Sequence, residues 1–304
     1  MPPYGACLLG SFNLAAYVYD DNHCYQIDYY KLQADIPHII RAMDNIVDVA
    51  DYPLPEQEDE AKSKRRMGIG VTGVANAIEA CGNEYGTHDF TLVLSSLLEV
   101  IRDYSYSASI ELAKEKGSFP LFDKDKYTQG KFIKTLPREI QEGIAQHGIR
   151  NSHLLSIAPT GTISMCANNV SSGIEPVLYY EADRTIQTFD GPTTVPVVDY
   201  GWSHFGVRGR LAKDCSISDH LNVQATAQQY VDSAVSKTIN FYPSRGGADF
   251  YREEFKPVYM RAYELGLKGI TTFNHNGKRA GLFKESDTEG EGMMCGLGGQ
   301  ECGA

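Results

Sequence analysis

An α/β fold is what this sequence predicts, and three patterns predict it. Residues 154–158, Leu154-Leu155-Ser156-Ile157-Ala158, are mostly apolar and read as a short buried strand that breaks at Pro159 into a turn of small and hydroxyl residues. Two longer stretches, 36–50 and 94–112, repeat their apolar residues at helical spacing. Residues 221–241 and 266–273 each pass from a helix pattern into a strand pattern, so helices and strands share one chain throughout.

At 304 residues the chain can bury a large core. Length alone suggests about two domains, although α/β barrels reach this size as one. The net charge of −11 and a pI near 5.2 give no dense basic stripe, which argues against nucleic acid or an anionic membrane as partner. No segment approaches the roughly 20 apolar residues of a membrane span. The opening stretch has no basic flank of the kind a signal peptide carries, so a cytoplasmic location is expected. The seven cysteines then read as intracellular thiols, and without a CxxC pair no metal site is expected.

In chain order, residues 4–19 have strand-like and small-residue content, as an interior piece of a fold would. By residue type alone Cys7 reads as an inert buried thiol. Ile36, Ile39, Ile40, Met43, Ile46, Val47 and Ala50 line one helix face before Pro53 and Pro55 end it. The acidic run 56–60 and the basic residues Lys62, Lys64, Arg65 and Arg66 read as solvated loops or helix faces. Gly68, Gly70 and Gly73 match GxGxxG, but no strand leads in from the charged run, so a dinucleotide site is rejected. A long helix follows over 94–112, with Gly117 as its left-handed cap and Tyr104 and Tyr106 as packing residues. Residues 118–135 read as a polar loop, and Pro137 with the Ile140/Ile144 spacing as a short helix.

The strand at 154–158 then delivers Pro159, Thr160, Gly161, Thr162, Ile163 and Ser164. Hydroxyls and freed backbone N–H groups at a strand's C-terminal end suit an anion, and phosphate is the natural guest. Beyond it, Asp190-Gly191-Pro192 is a turn and 195–198 a strand candidate, while Trp202 and His204 receive no role. Residues 221–235 read as a helix and 236–241 as a strand. The stretch 284–304 has almost no apolar material and is expected to be mobile.

Pro159-Thr160-Gly161-Thr162-Ile163-Ser164, followed by Asn169-Val170-Ser171-Ser172-Gly173-Ile174-Glu175-Pro176, resembles the phosphate-binding and finger-loop region of ribonucleotide reductase large subunits. The likeness is greatest to the adenosylcobalamin-dependent, class II members. Stretches 7–14, 66–77, 236–241, 266–279 and the tail also resemble the family, in its order. The resemblance implies the C-terminal half of a ten-stranded α/β barrel over residues 1–283, followed by a flexible redox-active tail over 284–304. It implies radical reduction of a ribonucleotide to a deoxyribonucleotide, with residues 159–164 holding the substrate's phosphates. Cys7 would be one member of the active-site redox pair, and Cys295 and Cys302 the tail dithiol that restores it with thioredoxin or a glutaredoxin-like reductant. Residues 66–77 would pack a helix against the barrel.

The family's Asn-x-Cys-x-Glu motif, whose cysteine becomes the thiyl radical, is expected on sequence outside this chain. A complementary N-terminal half is therefore an expected partner, and the complete enzyme a possible homodimer. Class I enzymes carry an adjacent tyrosine pair where Thr271 and Thr272 stand here. That difference implies a radical generated locally by adenosylcobalamin, as does Asn276-Gly277-Lys278-Arg279, with His275 in place of a proline. Two other readings stay open: half of a class I large subunit that uses a metal-radical subunit, and a noncatalytic nucleotide-binding module.

Overall fold

The computed structural model describes residues 2–189, 191–242, 253, 255–275 and 284–285. Its centre is an array of parallel extended segments whose spatial order is their chain order. β1 (Leu8–Asn13) pairs with β4 (Met67–Thr72), Leu8 opposite Met67 and Asn13 opposite Thr72. On the other side of β4, Ile69 bridges Leu155, and Ile157 bridges Val235 in turn. From Val235 the chain runs into β7 (Thr238–Phe241), which pairs with β8 (Thr271–Asn274). Among the described residues these segments do not close into a barrel.

Parallel neighbours need long crossovers, and helices supply them. Between β1 and β4 lie a hairpin of β2 (Val18–Asp21) and β3 (Cys24–Ile27), then α1 (Tyr29–Val49) and α2 (Pro55–Lys64). After β4 come α3 (Val74–Ala80), α4 (His88–Lys116), α5 (Lys124–Tyr127) and α6 (Arg138–His147). The segment at 154–157 leads to α7 (Gly161–Cys166), an antiparallel hairpin of β5 (Glu181–Thr188) and β6 (Gly191–Val198), α8 (Tyr200–Phe205) and α9 (Ile217–Tyr230). α10 (Lys256–Glu264) joins β7 to β8. The helices cover one face of the array, where Phe12, Met67, Ile69, Val71, Leu155 and Ile157 are buried in one core.

That core is tied at one end by a charged network. Asp44, fully buried on α1, accepts from Arg65 Nε at 2.8 Å, Arg150 Nε at 3.2 Å and Asn151 Nδ2 at 3.0 Å.

Several local expectations need correction. The buried stripe of α1 is Leu32, Ile36, Ile40, Met43 and Val47, stepping by three or four, whereas Ile39 and Ile46 fall off it and are 40% and 43% exposed. The glycine stretch 67–72 is itself a buried strand, not a turn lacking one. It still makes no dinucleotide site, because Ser171 occupies the N-terminus of α3: its carbonyl accepts Gly73 N–H and its hydroxyl accepts Ala75 N–H. The helix predicted over 221–235 ends at Tyr230, since the residues after it join the array. The charged runs form α2 as far as Lys64, with Glu58–Lys62 and Glu60–Lys64 pairs along it, whereas Arg65, expected on a solvated face, is buried against Asp44 and Asp48. The strand candidate at 195–198 is the end of the hairpin of β5 and β6.

At the head of the expected tail, β9 (Lys284–Glu285) pairs antiparallel with β5 at Asp183 and Ala182. The rest of that tail, with Cys295 and Cys302, lies outside the described residues, as does the stretch 276–279.

Candidate functional site

The stretch expected as a strand is an extended segment held by single bridges at Leu155 and Ile157, and after it Thr160 turns the chain with a left-handed φ of 54° into α7. A β-branched residue does not adopt that conformation without support. The support is its hydroxyl, buried, which accepts the Gly173 N–H at 2.7 Å and lies 3.0 Å from Thr72 Oγ1. Ser164 is likewise buried, its hydroxyl 2.9 Å from that of Ser172. Both hydroxyls thus lock the turn to the following loop. What the turn offers to solvent is Gly161, Thr162 and Ile163, exposed, whose N–H groups in the first turn of α7 have no intrahelical acceptor.

The loop 168–177 is fixed as firmly. Thr72 Oγ1 donates to the Ser171 carbonyl at 3.0 Å, and the Ser171 N–H donates to Asn76 Oδ1 at 2.6 Å. The Asn76 amide in turn donates to Asp199 at 3.0 Å. Burial raises the Asp199 carboxyl above its ordinary value, against the hydrogen bonds that lower it. Between turn and loop lies a cavity of about 330 Å³, lined among others by Gly161, Thr162, Ser172, Glu175, Tyr179 and Arg184. That volume sits at the lower end of small-molecule sites, roughly 300–1,000 Å³.

Cys7 is half-buried just before β1. A Cβ built on Gly68 would lie 3.2 Å from Cys7 Sγ, 2.9 Å from Ser156 Cβ and 2.7 Å from Leu9 Cδ2, so these side chains share the face turned away from the helices. Side chains alternate along a strand, which puts Gly68, Gly70 and Thr72 on that same face. Thr72 touches Thr160, so thiol and turn face the same side, four residues apart along β4, or about 13 Å at ~3.3 Å per residue. Gly68 and Gly70, both buried, lie between them, with Leu9 and Ser156 packed over the first and the Ser156 carbonyl over the second. Burial pushes the Cys7 thiol above its ordinary value; Arg66 opposes that shift and Asp232 adds to it.

A family profile described as ribonucleotide reductase, barrel domain, matches residues 2–195 and 209–273 of this chain. The chain belongs to that family. Vitamin B12-dependent ribonucleoside-diphosphate reductase of Mycobacterium tuberculosis is 31% identical over 99% of this chain and 44% of its own length. The protein of the same name in Thermoplasma acidophilum is 29% identical over 91% of the chain and 36% of its length. Ribonucleoside-diphosphate reductase 1 subunit alpha of Escherichia coli is also 29% identical, over 74% of the chain and 31% of its length. The chain thus spans less than half the length of these relatives, and reductases both named and not named for vitamin B12 are among them.

Within this reductase-family chain, the structure brings Cys7 and residues 159–164 onto one surface, while Cys295 and Cys302 fall outside the described residues. Pro159 is exposed at the turn. Sequence reasoning missed Thr72, on the same face as the turn, and Asn76 and Asp199 behind the loop, which together brace the site. It also missed the partnership of Glu175 with Lys237, although both residues lie in stretches quoted for the resemblance. Thr272, on β8, has its hydroxyl 3.1 Å from that of Tyr259 on α10, so a tyrosine stands beside the expected position from a neighbouring helix. His275 bonds Asn240 Oδ1 through Nε2 at 2.9 Å and stacks on Tyr242 at 4.1 Å. Trp202 stacks on the Arg208 guanidinium at 4.3 Å and, with His204, keeps no assigned role.

The cavity matches a small ligand in scale, and its lining takes in the turn and the loop but not Cys7, Gly68 or Gly70. Among the described residues no helix is long and apolar enough to cross a membrane, and no cluster of three or more His, Cys, Asp or Glu could hold a metal ion.

Proposed function

We propose that this chain carries the phosphate grip and one redox thiol of an enzyme that reduces ribonucleotides to deoxyribonucleotides. The observation that carries the reading is the shared face: Cys7 and the turn at 159–164 line one surface, separated by glycines over roughly a nucleotide's length. The N–H groups of Gly161, Thr162 and Ile163 would bind the phosphates at the mouth of the cavity, and the sugar would extend from the turn toward Cys7. In the net reaction the 2′ C–O bond breaks, a C–H bond forms and the hydroxyl leaves as water. The two electrons come from a pair of thiols that become a disulfide. Cys7 is one of that pair; its partner and the radical cysteine belong to the portion of the relatives' length that this chain does not cover.

The five parallel segments then make half of a ten-stranded barrel within residues 1–283. Residues 284–304 act as the carrier tail, in which Cys295 and Cys302 pass reducing equivalents from thioredoxin or a glutaredoxin-like protein. Reduced thiols suit the cytoplasm, and a homodimer of the complete enzyme is its working form. Of the two radical sources, adenosylcobalamin is the one we favour, because Thr271 and Thr272 offer no redox-active side chain of their own.

The test combines the chain with the complementary N-terminal portion and supplies a ribonucleoside diphosphate, thioredoxin with its reductant, and adenosylcobalamin. Deoxynucleotide should form only with the cobalamin present and should vanish in Cys7→Ser. Product with a metal-radical subunit instead would reassign the radical source. Nucleotide binding without product under either condition would reduce the chain to a binding module.

A further inference from the structure

Behind the array, on the helix side, lies a lysine that the proposed chemistry does not use. Lys237 immediately precedes β7 and is 1% exposed. A fully buried ammonium is costly unless every N–H finds an acceptor. Lys237 Nζ has three: Glu175 Oε2 at 2.5 Å, His220 Nδ1 at 2.8 Å and the Thr238 carbonyl at 2.8 Å. The other Glu175 oxygen accepts the Thr238 N–H at 2.6 Å, so one carboxylate grips two consecutive residues of the strand.

His220, fully buried on α9, can accept from Lys237 only as the neutral ring. Burial, then Lys237 and Arg210, push its pKa down to about 2. Its proton therefore sits on Nε2, which is buried without a hydrogen-bond partner, and the ring itself packs edge-on to Tyr85 with the two ring centroids 6.4 Å apart. Besides Glu175 and His220, Lys237 is faced by Cys215, ahead of α9, and Tyr85, between α3 and α4. Glu175 is the one carboxylate in this set. It is also the group that lines the cavity, at the end of the loop 168–177.

We propose that Lys237 and Glu175 are a positioning pair: the ammonium buried behind the strand holds the Glu175 carboxylate, and so fixes the loop that walls the nucleotide cavity. The proposal rests on the reading of that cavity as the nucleotide site. Lys237 cannot touch a substrate, because the loop and Tyr85 cover it. It acts through Glu175, and the loop's other anchors, the Ser171 and Gly173 N–H groups, depend on the same placement.

The test is hydrogen exchange on the whole chain, with Glu175→Gln as the variant. Glutamine keeps an oxygen for the Thr238 N–H but removes the counter-charge. At about pH 7 the protection factors of Ser171 and Gly173 N–H should fall about tenfold, while that of Ile69 N–H in β4 stays at the wild-type value. Burial lowers the Lys237 pKa and Glu175 raises it. Without the carboxylate the lysine sheds its proton at lower pH than in wild type, and protection in the variant should recover when the pH is raised to an alkaline value. A purely steric role for Glu175 would give no such recovery.

The double variant Glu175→Gln/Lys237→Met leaves no buried charge to prevent folding. It should lose loop protection at both pH values, without recovery. Wild-type protection at Ser171 and Gly173 in both variants overturns the proposal. Calorimetry with cytidine diphosphate separates it from the functional reading. Binding to wild type with an unperturbed loop in the variants sinks the positioning pair alone. A perturbed loop with no cytidine diphosphate binding to wild type upholds the pair and sinks the nucleotide reading.

Discussion

Replacing Thr160 by valine removes one hydroxyl and almost nothing else. Both residues are β-branched, so the left-handed backbone at φ 54° is equally strained before and after. The lost oxygen accepts the Gly173 N–H at 2.7 Å in a buried setting, and valine leaves that N–H without a partner. An orphaned buried donor costs about 1–3 kcal/mol. Thr72 loses its contact with Thr160 but keeps the Ser171 carbonyl as acceptor, so it adds little. The expected loss is about 2 kcal/mol of unfolding free energy in urea. Thr160→Ser keeps the hydroxyl and should stay within ~0.5 kcal/mol of wild type. Nucleotide affinity should fall with valine and hold with serine, because the exposed N–H groups of 161–163 are aimed by this turn. A valine variant as stable as the serine one would refute the claim that the hydroxyl holds the turn.

Three more expectations follow from buried charge and the thiol. Asp44→Ala leaves Arg65 buried without its deepest partner and should cost about 3–5 kcal/mol in urea unfolding, whereas breaking a surface pair such as Lys31–Asp35 should cost far less. Glu79 is 6% exposed, and burial pushes its carboxyl up to about 7. The folded chain therefore keeps a proton that the unfolded one releases above its ordinary carboxyl value, and stability should fall as pH rises from about 4.5 through 7, by about 3 kcal/mol in all. Glu79→Gln should flatten that slope in unfolding curves taken across the range, and an unchanged slope would assign it to other groups. Cys7, its thiol pushed up by burial, should react with iodoacetamide more slowly than the exposed Cys24 at neutral pH, as peptide mapping of the alkylated chain would measure.

The parts of the fold legible in the sequence are those where one local pattern decides the outcome. The run at 154–158 had an apolar stretch, a proline and a hydroxyl-rich turn in succession, and the strand end lies there. The 67–72 stretch was misread because strand propensity counts side chains, and glycine has none. Gly68 and Gly70 are strand residues because Leu9, Cys7 and Ser156 occupy the space a Cβ would need. The hairpin of β5 and β6 was half seen, since its first strand, Arg184-Thr185-Ile186-Gln187 at its middle, is too polar to stand out. Of the candidate site, the turn at 159–164 and the thiol were legible as residue types. That they share a face was not, because it depends on the register of β1 against β4 and of β4 against residue 155, which no local window encodes. The Lys237–Glu175 pair was invisible for the same reason, its members being brought together only by the fold.

Because the parallel segments of the array lie side by side in chain order without closing, the array has two outermost borders among the described residues. Among the described residues β1 has β4 on one flank and no strand on the other, and β8 has only β7. Such borders are templates for further pairing. Prepared alone, the chain should be prone to self-association through these seams, as light scattering against concentration would measure.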